Sequence, residues 1–226
     1  MLGLVSSASV IEAGGVRQPA RFGDVTLQGP IGDRLEAMIR NHVVARDAVS
    51  LTECFRSRSE TRLWQGEFWG KYMHGACPFW QLTGNRELKE KIDASVAAVI
   101  ETQDAEGYIG DYSLERRFAG GTWDVWCDKY VLMGLLHYYD ATKDEAALSA
   151  ALKLCRYVAG KIGPEGPTPI SQTGYFAGLP SCSILEPVVW LYNRTGEKDI
   201  LAFADFIVRE MTEAESGPRL LDLALK

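Results

Sequence analysis

Trp80-Gln-Leu-Thr83, Tyr139-Asp-Ala-Thr142 and Tyr192-Asn-Arg-Thr195 repeat one pattern: an aromatic residue, two variable positions and a threonine. Glycine follows the first and third (Gly84, Gly196), and Lys143 follows the second. The threonines lie 59 and 53 residues apart, and each pattern closes a very apolar run and precedes an amphipathic one. Repeats of this length, built from two helices each, mark stacked helical hairpins. Function then belongs to the longer connections between hairpins.

Working outward, two helix types alternate. Runs 68–82, 124–140 and 183–193 are apolar on nearly all sides, as in Val131-Leu-Met-Gly-Leu-Leu136, and are expected to be buried. Runs 86–102, 144–161 and 198–213 are one-sided; Leu88, Ile92, Val96 and Val99 share one face of the first. Inner helix, short turn, outer helix and long loop is the order of an all-α, partial (α/α)6 toroid. Asp144 and Thr122 are expected N-caps. Pro78 should bend or break its helix, while Pro187 suits a first turn.

The chain supplies about seven helices and the start of another near residues 219–224, little more than half of a six-hairpin ring. Residues 1–32 read as an extended arm with one short strand at 24–28, Asp33 caps a helix over 34–47, and residues 51–66 read as irregular. The toroid is assigned to residues 33–226. Its open half-ring predicts an association that covers exposed inner-helix surface.

Bulk properties set limits. The 226 residues are 46 % hydrophobic and 24 % charged, which is ordinary for a globular protein, and the formal charge is −6. That charge argues against nucleic acid or an anionic membrane as partner. No uninterrupted apolar run approaches the roughly 20 residues of a membrane span. Residues 1–15 make a poor secretory signal, so the reading favours the cytoplasm. Five cysteines without a C-x-x-C pair, and three histidines far apart in sequence, predict buried reduced thiols and no metal site or cofactor in this chain.

Candidate chemistry lies at the starts of the inner helices and in loops 103–122 and 163–182, which carry Gln103, Tyr108, Asp111, Tyr112, Arg116, Arg117, Tyr175 and Phe176. In Trp64-Gln-Gly-Glu-Phe-Trp-Gly-Lys71, the tryptophans either stack on a sugar face or fill the core. Gln65 and Glu67 there either bind hydroxyls or, for Glu67, serve the helix dipole. Gly107-Tyr-Ile-Gly-Asp-Tyr112 either presents Tyr108 or simply ends a helix. In Trp123-Asp-Val-Trp-Cys-Asp-Lys-Tyr130, Asp124 and Asp128 share a helix face and have the residue type that glycoside hydrolysis uses; structural roles compete. Trp123, Trp126, Lys129 and Tyr130 are candidate substrate contacts. Ser183 and Glu186 match a capping box, with a catalytic Glu186 as the alternative.

Taken in order, Trp64–Lys71, Gln103–Gly110, Trp123–Tyr130 leading to Gly134-Leu-Leu136, Ser181–Pro187 and Leu191–Gly196 resemble the N-terminal half of the catalytic domain of glycoside hydrolase family 127, the β-L-arabinofuranosidase-like group. The resemblance covers residues 22–215. It implies an (α/α)6 barrel and a retaining glycosidase acting on plant-type glycans. It also implies a zinc-bound cysteine nucleophile and a glutamate acid/base within a cysteine cluster in the barrel's second half. No such cluster is in this sequence, so no nucleophile, acid/base or metal ligand is carried over and the chain is expected to be inactive alone. Gln65, Tyr108, Trp123, Trp126, Lys129 and Tyr130 are then expected to line a sugar site. Members that hold the sugar with a histidine on the second inner helix find no match here, where Lys129 and Tyr130 stand. A non-catalytic carbohydrate-binding helical repeat, or another toroid enzyme such as an epimerase or unsaturated uronyl hydrolase using Asp124 or Asp128, are the rival readings.

Overall fold

The computed structural model describes residues 24–60, 64–212 and 219. Its main helices are α1 (Gly29–Met38), α2 (Glu53–Ser57), α3 (Glu67–Thr83), α4 (Arg86–Glu101), α5 (Asp124–Thr142), α6 (Glu145–Ile162), α7 (Leu179–Cys182), α8 (Leu185–Thr195) and α9 (Lys198–Thr212). Among the described residues there is no strand, only two isolated bridges, Glu60 with Tyr112 and Gly120 with Gly174. No described helix is long and apolar enough to cross a membrane.

α3, α5 and α8 form an inner layer, and α4, α6 and α9 pack outside it. The fold is a partial α/α toroid. α5 lies between α3, α6 and α8 and is buried along most of its length, because its residues are apolar all round. α4 and α6 bury one stripe each, through Leu88, Ile92, Val96 and Val99 and through Ala147, Ala151, Leu154 and Val158.

The repeated pattern is a turn closed by its own atoms. The threonine hydroxyls donate back to Phe79, Tyr138 and Leu191 carbonyls at 2.7, 2.7 and 2.9 Å. The next residue is left-handed in each case: Gly84 at φ 64°, Lys143 at φ 62° and Gly196 at φ 67°. Its N–H donates to the carbonyl of the pattern's aromatic residue, Trp80, Tyr139 or Tyr192. This is the αL C-cap, and it ends an inner helix and reverses the chain. Asp144 then caps α6 by accepting from the Ala146 and Ala147 amides, as its sequence position predicts; Asn85 caps α4 through the Leu88 amide. Lys143 is the one non-glycine in the left-handed position. Lys143→Gly is therefore expected to raise stability by about 0.5–1 kcal/mol, read from urea unfolding; a loss would mean that the Lys143 ammonium over the Tyr139 ring outweighs backbone strain.

Several expectations are corrected. Residues 25–28 form no strand, having none beside them to pair with, and α1 starts at Gly29, inside the expected arm. Pro30 in its first turn sets that start, so Asp33 is not a cap. A π-helical turn, Ile39–Val44, follows α1, and α2 lies within the stretch expected to be irregular. Pro78 does not break α3. Thr122 bonds the Ala119 carbonyl and caps nothing; Trp123 takes the cap position of α5. The capping box at Ser183 does not form, because its hydroxyl donates to the Pro180 carbonyl of α7 and α8 starts after Ile184. The rest of the arm and the helix start expected beyond Arg219 lie outside the described residues.

Candidate carbohydrate site

The N-terminal ends of α3, α5 and α8 meet at one rim. Trp123 is the hub of an aromatic wall there. Its ring centroid is 5.9 Å from Trp64, 5.8 Å from Trp126 and 5.0 Å from Tyr175. Trp126 continues to Tyr130 at 5.3 Å, one turn further along α5, and Tyr175 continues to Phe176 at 6.3 Å. The Trp64–Trp123, Trp123–Trp126 and Trp126–Tyr130 pairs are edge-to-face and the two pairs of Tyr175 are tilted, contacts that favour particular ring orientations. Trp64 and Phe176 remain open to solvent, at 44 % and 75 % exposure.

Polar groups are threaded through the wall. Glu67 accepts from the Trp126 indole N–H with one carboxylate oxygen and from Lys71 Nζ with the other, at 2.6 Å for the latter. Lys71 and Lys129 place their ammoniums 4.8 and 5.0 Å from the centroid of the same Tyr130 ring. Lys129 also lies 4.9 Å from the Trp126 ring centroid and 3.8 Å from Glu186 Oε2. In that pair the lysine side chain is 11 % exposed and the glutamate 49 %. Burial lowers the Lys129 pKa, and Glu186 opposes that shift. Burial raises the pKa of Tyr130. The wall thus offers flat apolar faces beside fixed hydrogen-bonding groups, which suits a polyhydroxylated ring with one apolar face.

Of the predicted contacts, Trp123, Trp126, Lys129 and Tyr130 come together here, and exposed Gln65 follows Trp64. Tyr108 does not line the wall. It is fully buried, donates to Asp124 Oδ1 at 2.6 Å, and is covered by the Arg117 guanidinium 3.6 Å from its ring centroid. Much of loop 103–122 is a plug under the wall. Asp111 Oδ2 accepts from the Gly66 amide at 2.9 Å, tying the loop to the start of α3. Asp124 Oδ2 accepts from the Phe118 amide at 2.8 Å, and the Tyr112 hydroxyl accepts from the Trp123 amide at 2.9 Å, tying the loop to α5. Gln103 donates to the Gly107 and Ala150 carbonyls. Asp124 and Asp128 are likewise buried, so neither reaches a substrate on this face. Trp64, Glu67, Lys71, Tyr175 and Phe176 are the wall residues outside the six expected contacts; the i, i+4 spacing of Glu67 and Lys71 was the available signal for Lys71.

Among the described residues no group of three His, Cys, Asp or Glu side chains is placed to hold a metal ion. The five cysteines are free and mostly buried. The described residues therefore do not fit a cysteine-ligated zinc. The fold does bring two of the histidines together, His74 and His137, 63 positions apart in the chain.

An inner layer of helices wrapped by an outer one places this chain among the α/α-toroid folds. The chain belongs to the glycoside hydrolase family 127 catalytic domains: the family model described as β-L-arabinofuranosidase, GH127 catalytic domain, matches residues 24–216. Comparison with curated proteins gives no match. Among solved structures, a GH127 β-L-arabinofuranosidase from Geobacillus stearothermophilus T6 is similar, with TM-score 0.62 and 16 % identity over 88 % of this chain and 34 % of that one. The GH127 β-arabinofuranosidase BT3674 gives TM-score 0.63 and 22 % identity over 87 % of this chain and 34 % of that one. A third structure, described as a glycoside hydrolase, gives TM-score 0.51 and 18 % identity over 83 % and 27 %. At these identities the likeness establishes the fold. The chain spans about a third of the length of these structures.

Proposed function

We propose that this chain forms part of the sugar-binding wall of a glycoside hydrolase acting on plant-type glycans, with Trp123, Trp126, Tyr130 and Lys129 as contacts, Gln65 beside them, and the bond-breaking groups supplied from outside this chain. The observation that carries the reading is the Trp126–Glu67–Lys71 arrangement, a fixed carboxylate set behind half-buried aromatic faces at the rim where the inner helices begin. Lys129 and Tyr130 replace the expected histidine of the arabinofuranosidases, which favours a sugar other than arabinofuranose. The epimerase and uronyl-hydrolase readings lose support, because the carboxylates that they need are buried. The face of α8 carrying Leu185, Val189 and Trp190, beside a groove of about 420 Å³, is the edge against which the next helices of the ring would pack.

Two measurements test the reading. The chain alone is expected to release no aglycone from aryl β-L-arabinofuranosides or related aryl glycosides, because catalytic groups that act as a unit cannot be removed without large losses. Turnover by the 226 residues alone would overturn the division of labour. Binding of plant-type oligosaccharides, followed by tryptophan fluorescence, is expected to weaken by about 1–3 kcal/mol in Trp126→Ala, through lost stacking area and a broken hold on Glu67. Unchanged binding would remove the wall from the site.

A further inference from the structure

Deeper along the inner layer, α3 and α5 bring two imidazoles into contact. His74 Nδ1 and His137 Nε2 are 2.8 Å apart, and the ring planes cross at 85° with centroids 4.6 Å apart. His74 is exposed, while His137 is half-buried against the edge of Trp190, with centroids 5.3 Å apart. Burial and then the neighbouring His74 lower the His137 pKa to about 4. Asp140 and Arg194, the other charged groups acting on His137, are paired with each other at 2.8 Å.

Two imidazole nitrogens facing each other at this separation suit a metal ion as well as a shared proton. Two metal–nitrogen bonds of about 2.0–2.1 Å at about 90–110° put the donor nitrogens roughly 2.9–3.4 Å apart. The observed distance is nearest the right-angle end, the tetragonal geometry of copper(II) and nickel(II). A small turn of the exposed His74 ring opens the remaining few tenths of an ångström.

We propose that His74 and His137 form a two-imidazole site for a divalent transition-metal ion of the copper, nickel or zinc type, with water completing the coordination, and that the ion clips α3 to α5. The shared proton passes, by exchange with water, to the other nitrogen of the donor ring, which frees both facing nitrogens for the ion. Competing thiolates are suppressed. Burial pushes the thiols of Cys54, Cys77, Cys155 and Cys182 up to about 12, and that of Cys127 well above its ordinary value. This site is independent of the sugar wall and of any activity assigned to it.

The test uses the chelator-treated chain without an affinity tag, titrated separately with Cu2+, Ni2+ and Zn2+ by calorimetry. The expected result is one equivalent bound by at least one of these ions, with a raised thermal midpoint. His74→Gln and His137→Gln are each expected to weaken binding at least about ten-fold. His42→Gln, which changes an exposed histidine outside the pair, is expected to leave binding unchanged. The electron paramagnetic resonance spectrum of the Cu2+ form is expected to report two imidazole nitrogens in the parent chain and one in each pair variant. No saturable binding tighter than a Kd of about 1 mM for any of the three ions overturns the proposal. So does undiminished binding in His74→Gln, the variant that alters an exposed ring and leaves the core intact.

Discussion

Gly70→Ala is expected to destabilise the chain by about 3 kcal/mol or more, enough to unfold it or to disorder the inner layer. A β-carbon at Gly70 would lie 1.9 Å from the Tyr130 carbonyl oxygen, 2.4 Å from its carbonyl carbon and 2.8 Å from its Cβ. Two of these atoms are backbone in the middle of α5 and cannot turn aside. Relief requires α3 and α5 to separate, which also opens the contact in which Trp69 covers Gly134; a β-carbon there would lie 2.6 Å from the ring. The effect reaches the site, since Lys71 and Tyr130 flank this contact and meet at the wall. Gly160→Ala is the control. It sits in α6 with nothing within 4 Å of the added carbon, and helix propensity predicts a gain of up to about 1 kcal/mol. Urea unfolding of the two variants should move in opposite directions. A cost under about 1 kcal/mol at Gly70 would mean that the inner helices are not held at the described separation.

Stability is expected to fall as pH rises from about 4 through 7, by on the order of 3 kcal/mol. Burial raises Asp111 to about 7 and Asp124 to about 6, and pushes Asp128 well above the usual carboxylate range, with Asp124 and Asp111 adding to the last. Neither Asp128 oxygen has a hydrogen-bond partner among the described residues. The folded protein holds these protons where the unfolded chain, with ordinary carboxylates near 4, has released them. More protons bound in the folded state make the slope of stability against pH negative. The favourable contribution is complete below about pH 4 and is lost as pH passes through the raised values. Asp128→Asn removes a group that ionises on unfolding. It is expected to raise stability at pH 8 and to change it little at pH 4, measured by thermal unfolding across the range. His137, with its pKa lowered to about 4, works in the opposite direction over this window, so the deciding readout is the difference between Asp128→Asn and the parent; a difference that does not grow from pH 4 to 8 would show Asp128 to be ionised in the fold.

The buried acids also explain what was legible in the sequence and what was not. The hairpin turns could be read because all their determinants are local: a threonine hydroxyl, a left-handed residue and an aromatic residue's carbonyl lie within five positions. The inner and outer helices could be read because burial on all sides and burial on one side leave different patterns. That Trp123, Trp126, Lys129 and Tyr130 lie together could be read from their place at a helix start. Tyr108 and Asp111 did not follow, because polar residues in a long loop look like ligand contacts until tertiary structure supplies Asp124 and the Gly66 amide as partners. Ser183 had the spacing of a cap, and the four-residue α7 before it diverted its hydroxyl. The His74–His137 contact had no sequence signal, since it depends on how α3 and α5 align across 63 residues.

Because every Thr-turn is sealed by atoms of its own six residues, the rim that carries these turns needs no information from the opposite rim. Conservative changes within these turns should therefore be tolerated without reshaping the aromatic wall. The same change at Gly66 or Phe118 would pull directly on the acids that anchor it. The two ends of the wheel thus evolve under different rules, one free to vary locally and the other tied to its chemistry.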